Sequence, residues 1–176
     1  MKKIAFIWAE NSLGYIGKDG VIPWNLPDDM QFFKEQTKGH PVVMGRRTFD
    51  SLHVKPLPER ENIVLTRNPD WSYAGVTVVH SVAQLLHHLE QIPYAEDETI
   101  FVIGGAQIYE ALVGEVDLLY ITKVQNTIAG DTKMPQIDLT KFELIKELAG
   151  RVDERNIYPH HFYIYQRNDL ARPGFK

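Results

Sequence analysis

Residues 101–110, "FVIGGAQIYE", join an apolar, β-branched run to a glycine pair and then to a segment with helical spacing. The run lacks the alternation of a half-exposed strand, which is typical of a strand covered on both faces. Gly104 and Gly105 allow either a tight turn or the close approach of a ligand to the backbone. The stretch therefore predicts a buried strand that leads directly into a helix.

The same order of elements recurs along the chain. Apolar runs occupy 4–9, 42–44, 62–66, 76–79, 100–103, 118–124 and 161–166, and helical patterns occupy 28–37, 46–52, 82–91 and 106–113. Strands that alternate with helices predict one α/β domain with a mainly parallel sheet. Segments 11–20 and 53–61 predict loops by their glycine, proline and lysine content, and the first is long enough to be a mobile lid.

Composition excludes several classes of protein. The 176 residues carry a net charge of −4 and no cysteine, so disulfides, thiolate catalysis and a basic nucleic-acid surface are not expected. The apolar run 4–9 is too short for a signal peptide, and no run approaches the roughly 20 apolar residues of a membrane helix. We therefore expect a cytoplasmic protein that acts on small molecules and needs neither nucleic acid nor membrane.

Seven histidines do not predict a metal site. Two adjacent pairs, at 87–88 and 160–161, have side chains that diverge on a helix or a strand, and no H-x-x-x-H spacing exists. We expect no metal.

Three predicted strands end in residues that suit phosphate. Arg46, Arg47 and a hydroxyl follow the strand at 42–44, the glycine pair follows 100–103, and Arg67 closes the run at 62–66. Free backbone N–H groups at a helix start and guanidinium groups both bind anions. Each feature alone also fits solvated arginines or a simple tight turn. Together they favour an extended polyphosphate ligand with an extra phosphate.

The stretch "VIPWNLPDDM", residues 21–30, places two acids in the first turn of a predicted helix. Pro27 suits the first helical position, and both Asp28 and Asp29 are favourable to the helix dipole there. A purely structural role would explain both acids.

Helix geometry separates the two aspartates. At about 100° per residue, Met30, Phe33 and Thr37 share an apolar face, with Asp28 nearly opposite and Asp29 at its border. We therefore expect Asp28 to be solvated and Asp29 to be partly buried with a raised pKa. A buried carboxylate indicates either a ligand with paired donors or an acid–base role.

From residue 4 to residue 166 the chain resembles dihydrofolate reductase of the bacterial type. The matching segments are "IAFIWAENSLGYIGKDGVIPWNLPDDMQFF", "VVMGRRTFDSL", "PLPERENIVLTR", "VIGGAQIYE", "LYITKV" and "GDTKMP". The resemblance implies one domain over 1–167. It implies an eight-stranded, mixed but mostly parallel sheet flanked by four helices, with an antiparallel C-terminal strand. The remaining tail, 168–176, has no periodicity, and we expect it to be loosely held.

The resemblance also implies an oxidoreductase of tetrahydrofolate biosynthesis and one-carbon metabolism. It would reduce 7,8-dihydrofolate to 5,6,7,8-tetrahydrofolate by hydride transfer from NADPH, with protonation of N5. It would bind antifolates and act as a monomer. Asp29 and Thr122 would hold the pteridine, and a water admitted beside Ile22 and Trp24 would deliver the proton to N5.

The remaining site residues are carried over by position. Dihydrofolate would contact Ile7, Trp8, Ala9, Asp29, Met30, Phe33, Leu52, Leu57, Arg60, Ile103 and Thr122. NADPH would contact Ala9, Ile16, Gly17, Gly45, Arg46, Arg47, Thr48, Leu65, Thr66, Arg67, His80, Gly104, Gly105, Ala106, Gln107, Ile108 and Tyr109. The segment 11–24 would close over the nicotinamide.

Two other interpretations stay open at this point. A related pterin or pyrimidine reductase of the same fold need not keep both Asp29 and Arg60, so their joint presence favours folate. A non-catalytic NADPH-binding module would be expected to lack the buried acid or the tryptophan of the lid, and both are present. Fold alone would not decide between these functions.

Overall fold

The computed structural model describes residues 2–168, and its elements follow the predicted alternation of strands and helices. The strands are β1 Lys3–Asn11, β2 Tyr15–Gly17, β3 Val42–Gly45, β4 Asn62–Leu65, β5 Val76–Val79, β6 Thr99–Gly104, β7 Leu118–Val124, β8 Thr132–Lys133, β9 Phe142–Ala149 and β10 His160–Arg167. The helices are α1 Pro27–Thr37, α2 Arg46–Ser51, α3 Val82–Gln91 and α4 Ala106–Leu112, with a short 3-10 turn at Leu139–Lys141.

Eight strands form one sheet in the order β5-β4-β3-β6-β1-β7-β10-β9. The pairs from β5 to β7 are all parallel, whereas β10 runs antiparallel to both β7 and β9. The predicted fold class, with four helices and an antiparallel C-terminal strand, is therefore confirmed. A second, two-stranded sheet pairs β2 with β8.

Both faces of the sheet are buried, which explains why the strands read as continuous apolar runs. In β1, Ile4 and Phe6 face a core that includes residues of α3 and α4, whereas Ala5 and Ile7 face a core with Phe32 of α1 and Phe49 of α2. Neighbouring residues of one strand thus enter opposite cores, and neither face needs polar side chains.

Three strands were not predicted, and each has a physical reason. Strands β2 and β8 have three and two residues, too few to show a period. Strand β9 lies at the sheet edge, and all of its residues except Phe142 are exposed. Its pairing with β10 depends on backbone hydrogen bonds, which no pattern of side chains in the sequence predicts.

The parallel strands β1, β3, β4, β6 and β7 all end at the same edge of the sheet, where ligands of open α/β sheets bind. None of the helices within residues 2–168 is long and apolar enough to cross a membrane. Asn168 donates its backbone N–H to Lys141 O at 2.8 Å. The rest of the predicted tail, residues 169–176, lies outside the described residues.

Candidate active site

Asp29 lies in the first turn of α1, with its carboxylate against strand β7. Pro27 begins the helix after the buried Leu26, and both acids fall in the first turn as predicted. The hydroxyl of Thr122 donates a hydrogen bond of 2.6 Å to Asp29 Oδ1. Thr122 is only 2% exposed, so the carboxylate meets the buried interior of the sheet. The hydrogen bond implied by the resemblance is therefore present.

The electrostatic state of Asp29 follows from this burial. Desolvation raises the pKa of its carboxyl, whereas the Thr122 hydroxyl and the charge of His160 act in the opposite direction, and the neighbouring Asp28 raises it further. Loss of hydration dominates, as expected for a carboxylate removed from water without a contacting cation. The group is thus prepared to accept hydrogen bonds from a ligand or to take part in proton transfer.

The prediction that Asp28 is solvated is wrong. Its Oδ2 accepts hydrogen bonds from His160 Nε2 at 2.6 Å and from the backbone N–H of Arg151 at 2.9 Å. The helical angle compares only positions within α1. It gave no information on the loop between β9 and β10, which covers the side of the helix that carries Asp28.

The apolar face of α1 also differs from the prediction. Phe32 packs into the core and stacks on Phe162 of β10, with ring centroids 4.1 Å apart. Thr37 is buried as expected, but Phe33 is half-buried and Met30 is 60% exposed. The inward direction is therefore centred nearer to Phe32, and Met30 and Phe33 border the open side of the helix.

The segment from Asn11 to Trp24 combines fixed and exposed parts. Trp24 is 8% exposed and packs with Ala9, Leu26 and Val124, whereas Ile22 is 52% exposed. Its middle is not a simple loop, because β2 pairs with β8, and Asp131 Oδ2 accepts from the backbone N–H of Asp19 at 2.9 Å. The motion of this segment as a lid stays a prediction.

The three phosphate-suited strand ends lie side by side. Strands β4, β3 and β6 are parallel neighbours, so Thr66, Gly45 and Gly104 meet at one edge. A Cβ on Gly45 would stand 3.2 Å from Ile108, and Cβ atoms on Gly104 and Gly105 would stand 3.5 and 3.7 Å from Thr48 Oγ1. The contact at Gly45 is tighter than a side chain normally makes, and the φ of +127° at Gly104 disfavours any residue with a side chain. These two positions therefore favour glycine, whose backbone a ligand can approach closely.

The basic residues lie on the rim of this space. Arg46, Arg47 and Arg67 are exposed. Arg46 lies over the ring of Trp71, 5.8 Å from its centroid, and its Nε is 3.5 Å from Asp50. His80 bonds the carbonyl of Thr66 at 2.8 Å through Nδ1 and thereby fixes the end of β4. The structure thus brings the predicted cofactor residues of α2, β4, β5 and β6 together.

Arg60 is held near the other end of α1. Its Nη1 donates to Thr37 Oγ1 at 2.9 Å and its Nε to Pro58 O at 2.9 Å. Burial lowers the pKa of the guanidinium and Glu59 raises it, yet a guanidinium stays charged at neutral pH. Leu52, Leu57 and Phe33 pack against one core cluster nearby, so the cation lies beside a partly open apolar region.

The side chains between these two regions come from β1, β6 and α4. Tyr109 is buried and donates its hydroxyl to Ile7 O at 2.7 Å, and burial raises the pKa of its phenol far above the usual range. Its ring centroid lies 6.2 Å from that of Trp8. Ile7 and Ala9 are buried, and Ile103 is partly buried, as residues that form a cleft wall would be.

Sequence reasoning missed His160, Asn156 and Phe162. Alternation on a strand did predict that the two histidines diverge, and His160 is indeed buried while His161 is exposed. No local pattern indicated that His160 meets Asp28, because 132 positions separate them in the chain. Among residues 2–168, no group of three potential metal ligands comes together.

Comparison with known proteins agrees with this geometry. A family model described as dihydrofolate reductase matches residues 3–167. The dihydrofolate reductase of Bacillus subtilis is 40% identical over 171 residues, covering 97% of this chain and 98% of the relative. That of Enterococcus faecium is 41% identical over 162 residues, covering 92% and 95% respectively.

A solved structure is similar over nearly the whole chain. It is a dihydrofolate reductase from Enterococcus faecalis complexed with NADP(H) and RAB-propyl, 41% identical in sequence, with a TM-score of 0.87. The match covers 95% of this chain and 97% of the other. Sequence family, close relatives and fold coincide, and the chain belongs to the dihydrofolate reductase family.

Proposed function

We propose that Asp29 is the centre of the reaction that this chain catalyses. As a dihydrofolate reductase, the chain reduces 7,8-dihydrofolate to 5,6,7,8-tetrahydrofolate with NADPH. The observation that supports the role of Asp29 is its desolvated carboxylate, which Thr122 engages at Oδ1. Each carboxylate oxygen can accept more than one hydrogen bond, so the two oxygens together could accept the 2-amino group and a ring N–H of a pteridine in paired hydrogen bonds.

Reduction of the C6–N5 bond needs a hydride and a proton. Bound NADPH supplies the hydride to C6. We propose that a water beside the exposed Ile22 and the buried Trp24 delivers the proton to N5. Asp29 would make N5 more basic by placing negative charge against the ring, which is electrostatic assistance rather than direct proton transfer.

The substrate tail would lie along α1. Arg60 is charged, partly buried and oriented by two hydrogen bonds, which suits a bidentate pair with the α-carboxylate of the glutamate. Met30, Phe33, Leu52 and Leu57 would enclose the aminobenzoyl ring. Ile7, Trp8, Ala9, Ile103 and Thr122 would complete the pteridine wall.

The cofactor would lie across the ends of β4, β3 and β6. Arg47, Thr48 and the segment 104–107 would cradle the pyrophosphate, and Arg46, Thr66 and Arg67 would surround the 2′-phosphate. Gly45 and Gly104 support this placement, because both positions disfavour a side chain and leave the backbone accessible. The other proposed contacts are Ala9, Ile16, Gly17, Leu65, His80, Ile108 and Tyr109.

We also propose that the chain works as a monomer, since one copy brings Asp29, Thr122, Arg60 and the three cofactor junctions together and needs no second copy to complete the site. The predicted cytoplasmic location and the binding of antifolates stay predictions. Sedimentation of the purified protein would test whether it is a monomer. Saturable protection against thermal unfolding by an antifolate would test antifolate binding.

The decisive experiment follows NADPH oxidation in the presence of dihydrofolate. We expect Asp29→Asn to lower kcat by two or more orders of magnitude at neutral pH, because the amide removes the charge but keeps the shape. Glu35→Gln is a matched control, since Glu35 is an exposed carboxylate on the same helix. A mutant with full activity at pH 7 would overturn the role of Asp29.

A further inference from the structure

His160 is a buried histidine with an acceptor at each ring nitrogen. Its side chain is fully buried at the start of β10. Nε2 lies 2.6 Å from Asp28 Oδ2, and Nδ1 lies 2.8 Å from the carbonyl oxygen of Tyr158. A carboxylate and a carbonyl both accept, so satisfying the two bonds needs a hydrogen on each nitrogen. The ring therefore fits this position as an imidazolium ion.

The surroundings are shaped around this ring. A Cβ on Gly150 would lie 2.0 Å from His160 Nε2, so only glycine fits there. Phe162 meets the ring edge to face, with centroids 5.3 Å apart. Buried charges are costly unless they are paired and hydrogen-bonded, and both conditions are met here. The surroundings therefore accommodate one buried ion pair at this position.

The loop between β9 and β10 also makes hydrogen bonds to the first turn of α1. Besides the bond from His160, Asp28 Oδ2 accepts from the backbone N–H of Arg151 at 2.9 Å. Asn156 Oδ1, in turn, accepts from the backbone N–H of Asp28 at 2.7 Å and so satisfies one of the N–H groups that the first turn leaves free. Three hydrogen bonds thus fix Asp28 to the segment 150–160.

Asp28 and Asp29 are consecutive in the chain, and each is hydrogen-bonded to a residue of one of two adjacent strands. Thr122 of β7 bonds Asp29, and His160 of β10 pairs with Asp28. In the β7–β10 ladder, Phe162 lies opposite Thr122 and His160 lies opposite Val124. Phe162 also stacks on Phe32 of the same helix. The orientation of this turn is therefore set by one strand pair.

We propose that the His160–Asp28 ion pair is a positioning device for the reaction: it fixes the first turn of α1 so that Asp29 meets Thr122, and it places a balanced pair of charges behind that carboxylate. This inference rests on the function proposed for Asp29. His160 and Asp28 are positioning residues, since neither is assigned a contact with substrate or cofactor.

Three neighbouring elements and one loop contribute the groups that face Asp29 and His160. Helix α1 contributes Asp28, β10 contributes His160, and β7 contributes the uncharged Thr122. The loop contributes the backbone of Arg151, whose side chain is exposed. The charge of His160 lowers the pKa of Asp29 and the charge of Asp28 raises it. Removing the charge of His160 alone should therefore make Asp29 harder to ionise. Removing the charges of both His160 and Asp28 should change the pKa of Asp29 little, because their two effects oppose each other.

The test compares His160→Gln with Asp28→Asn/His160→Gln. In the ligand-free protein, carboxyl-carbon NMR of labelled aspartate, assigned with Asp29→Asn, gives the titration midpoint of Asp29. We expect His160→Gln to raise this midpoint by about half a unit to one unit, and the double variant to return most of the way. His161→Gln is the matched control, because that neighbour is exposed on the other face of β10.

Kinetics provide a second readout. The pH profile of kcat/KM for dihydrofolate, which reports groups of the free enzyme, should move with the NMR midpoint in His160→Gln. KM for NADPH should stay unchanged, because the cofactor junctions lie on other strands. An unchanged midpoint in the single variant, or a double variant shifted further than the single one, would overturn the proposal. A role confined to folding would lower stability in both variants without this reversal.

One measurement needs no variant. Imidazole nitrogen NMR of the ligand-free wild-type protein should show a hydrogen on each nitrogen of His160, because both nitrogens face acceptors. A ring with one bare nitrogen would overturn the proposal. The two NMR measurements do not require an active enzyme, so they can contradict the ion-pair proposal independently of the proposed function. Wild-type protein without dihydrofolate-dependent oxidation would sink the proposed function, and an active enzyme with unmoved midpoints would sink only the ion-pair role.

Discussion

Ionised Asp29 destabilises the folded chain, because burial raises the pKa of its carboxyl above the ordinary value of 3.8. The folded state then holds this proton more tightly than the unfolded state does. Stability is unaffected below the unfolded pKa and falls as the pH rises through the window up to the folded pKa. Above that window the whole penalty is present, at about 1.4 kcal/mol for each unit of difference.

Asp29→Asn should therefore be more stable than the wild type at pH 7. The amide keeps an acceptor for the Thr122 hydroxyl but carries no charge to desolvate. Urea unfolding at a series of pH values should show the advantage shrinking as the pH falls through the folded pKa toward the unfolded one, because the wild-type carboxyl then takes up its proton. Glu35→Gln should show no such trend, and equal stabilities of wild type and Asp29→Asn at pH 7 would contradict the argument.

Arg46 and Arg67 should determine the choice of cofactor. Arg46 follows β3 and Arg67 lies just after β4, and both side chains are exposed and available to a 2′-phosphate. Asp50 also contacts Arg46. A hydrogen bond to a charged group is worth about 1.5 to 3 kcal/mol, so Arg46→Ala or Arg67→Ala should reduce the NADPH to NADH preference roughly tenfold to a hundredfold. Ratios of kcat/KM for the two cofactors measure this.

Arg155→Ala offers a comparison for those two variants, because Arg155 is an exposed arginine in the loop between β9 and β10. It should leave the cofactor preference unchanged. If Arg46→Ala and Arg67→Ala also leave it unchanged, the 2′-phosphate lies elsewhere.

At this scale the sequence resolved one aspartate and not the other. The periodicity of α1 placed Asp29 at the apolar border, which depends only on the helix itself. The fate of Asp28 depends on His160 and Arg151, which arrive from the far end of the chain. A partner so distant in sequence leaves no local pattern.

Helix α1 divides its side chains between stability and binding. Phe32 is buried and stacked on Phe162, so Phe32→Ala should cost about 3 to 5 kcal/mol of unfolding free energy. Met30, only two positions earlier, is 60% exposed, and Met30→Ala should change stability by less than about 0.5 kcal/mol. Met30→Ala should instead raise KM for dihydrofolate, if Met30 borders the substrate as proposed.

Chemical unfolding and steady-state kinetics on the same two proteins separate these effects. Equal losses of stability would show that Met30 belongs to the core as Phe32 does. Met30→Ala with an unchanged KM would remove Met30 from the substrate site.

Elements with a strong period were predictable almost to the residue. Helices α1 to α4 begin and end within one residue of the predicted ranges, because each buries one face on the sheet. The missed strands have no such face: β9 is exposed along nearly its whole length, and β2 and β8 are very short. Their pairing is determined by the backbone and by the loops that carry them.

The whole sheet separates two binding regions that meet at its centre. The proposed cofactor residues follow β4, β3 and β6, and the proposed substrate residues come mainly from α1, β1 and β7. The order of strands reverses between β6 and β1, where parallel sheets leave a crevice for ligands. Tyr109, bonded to Ile7 across this boundary, connects the two regions.

This division predicts that the two ligand responses can be removed independently. At a concentration of about 100 times its Kd, a ligand adds about 2.7 kcal/mol, which raises the melting temperature of a domain of this size by roughly 5 to 10 °C. Arg46→Ala/Arg67→Ala should lose most of the increase given by NADPH and keep that given by dihydrofolate. Asp29→Asn should show the opposite pattern. Thermal unfolding of both variants with each ligand alone measures the four responses. If each variant weakened both responses equally, the two regions would not be separate, because one local change would be disturbing the whole sheet.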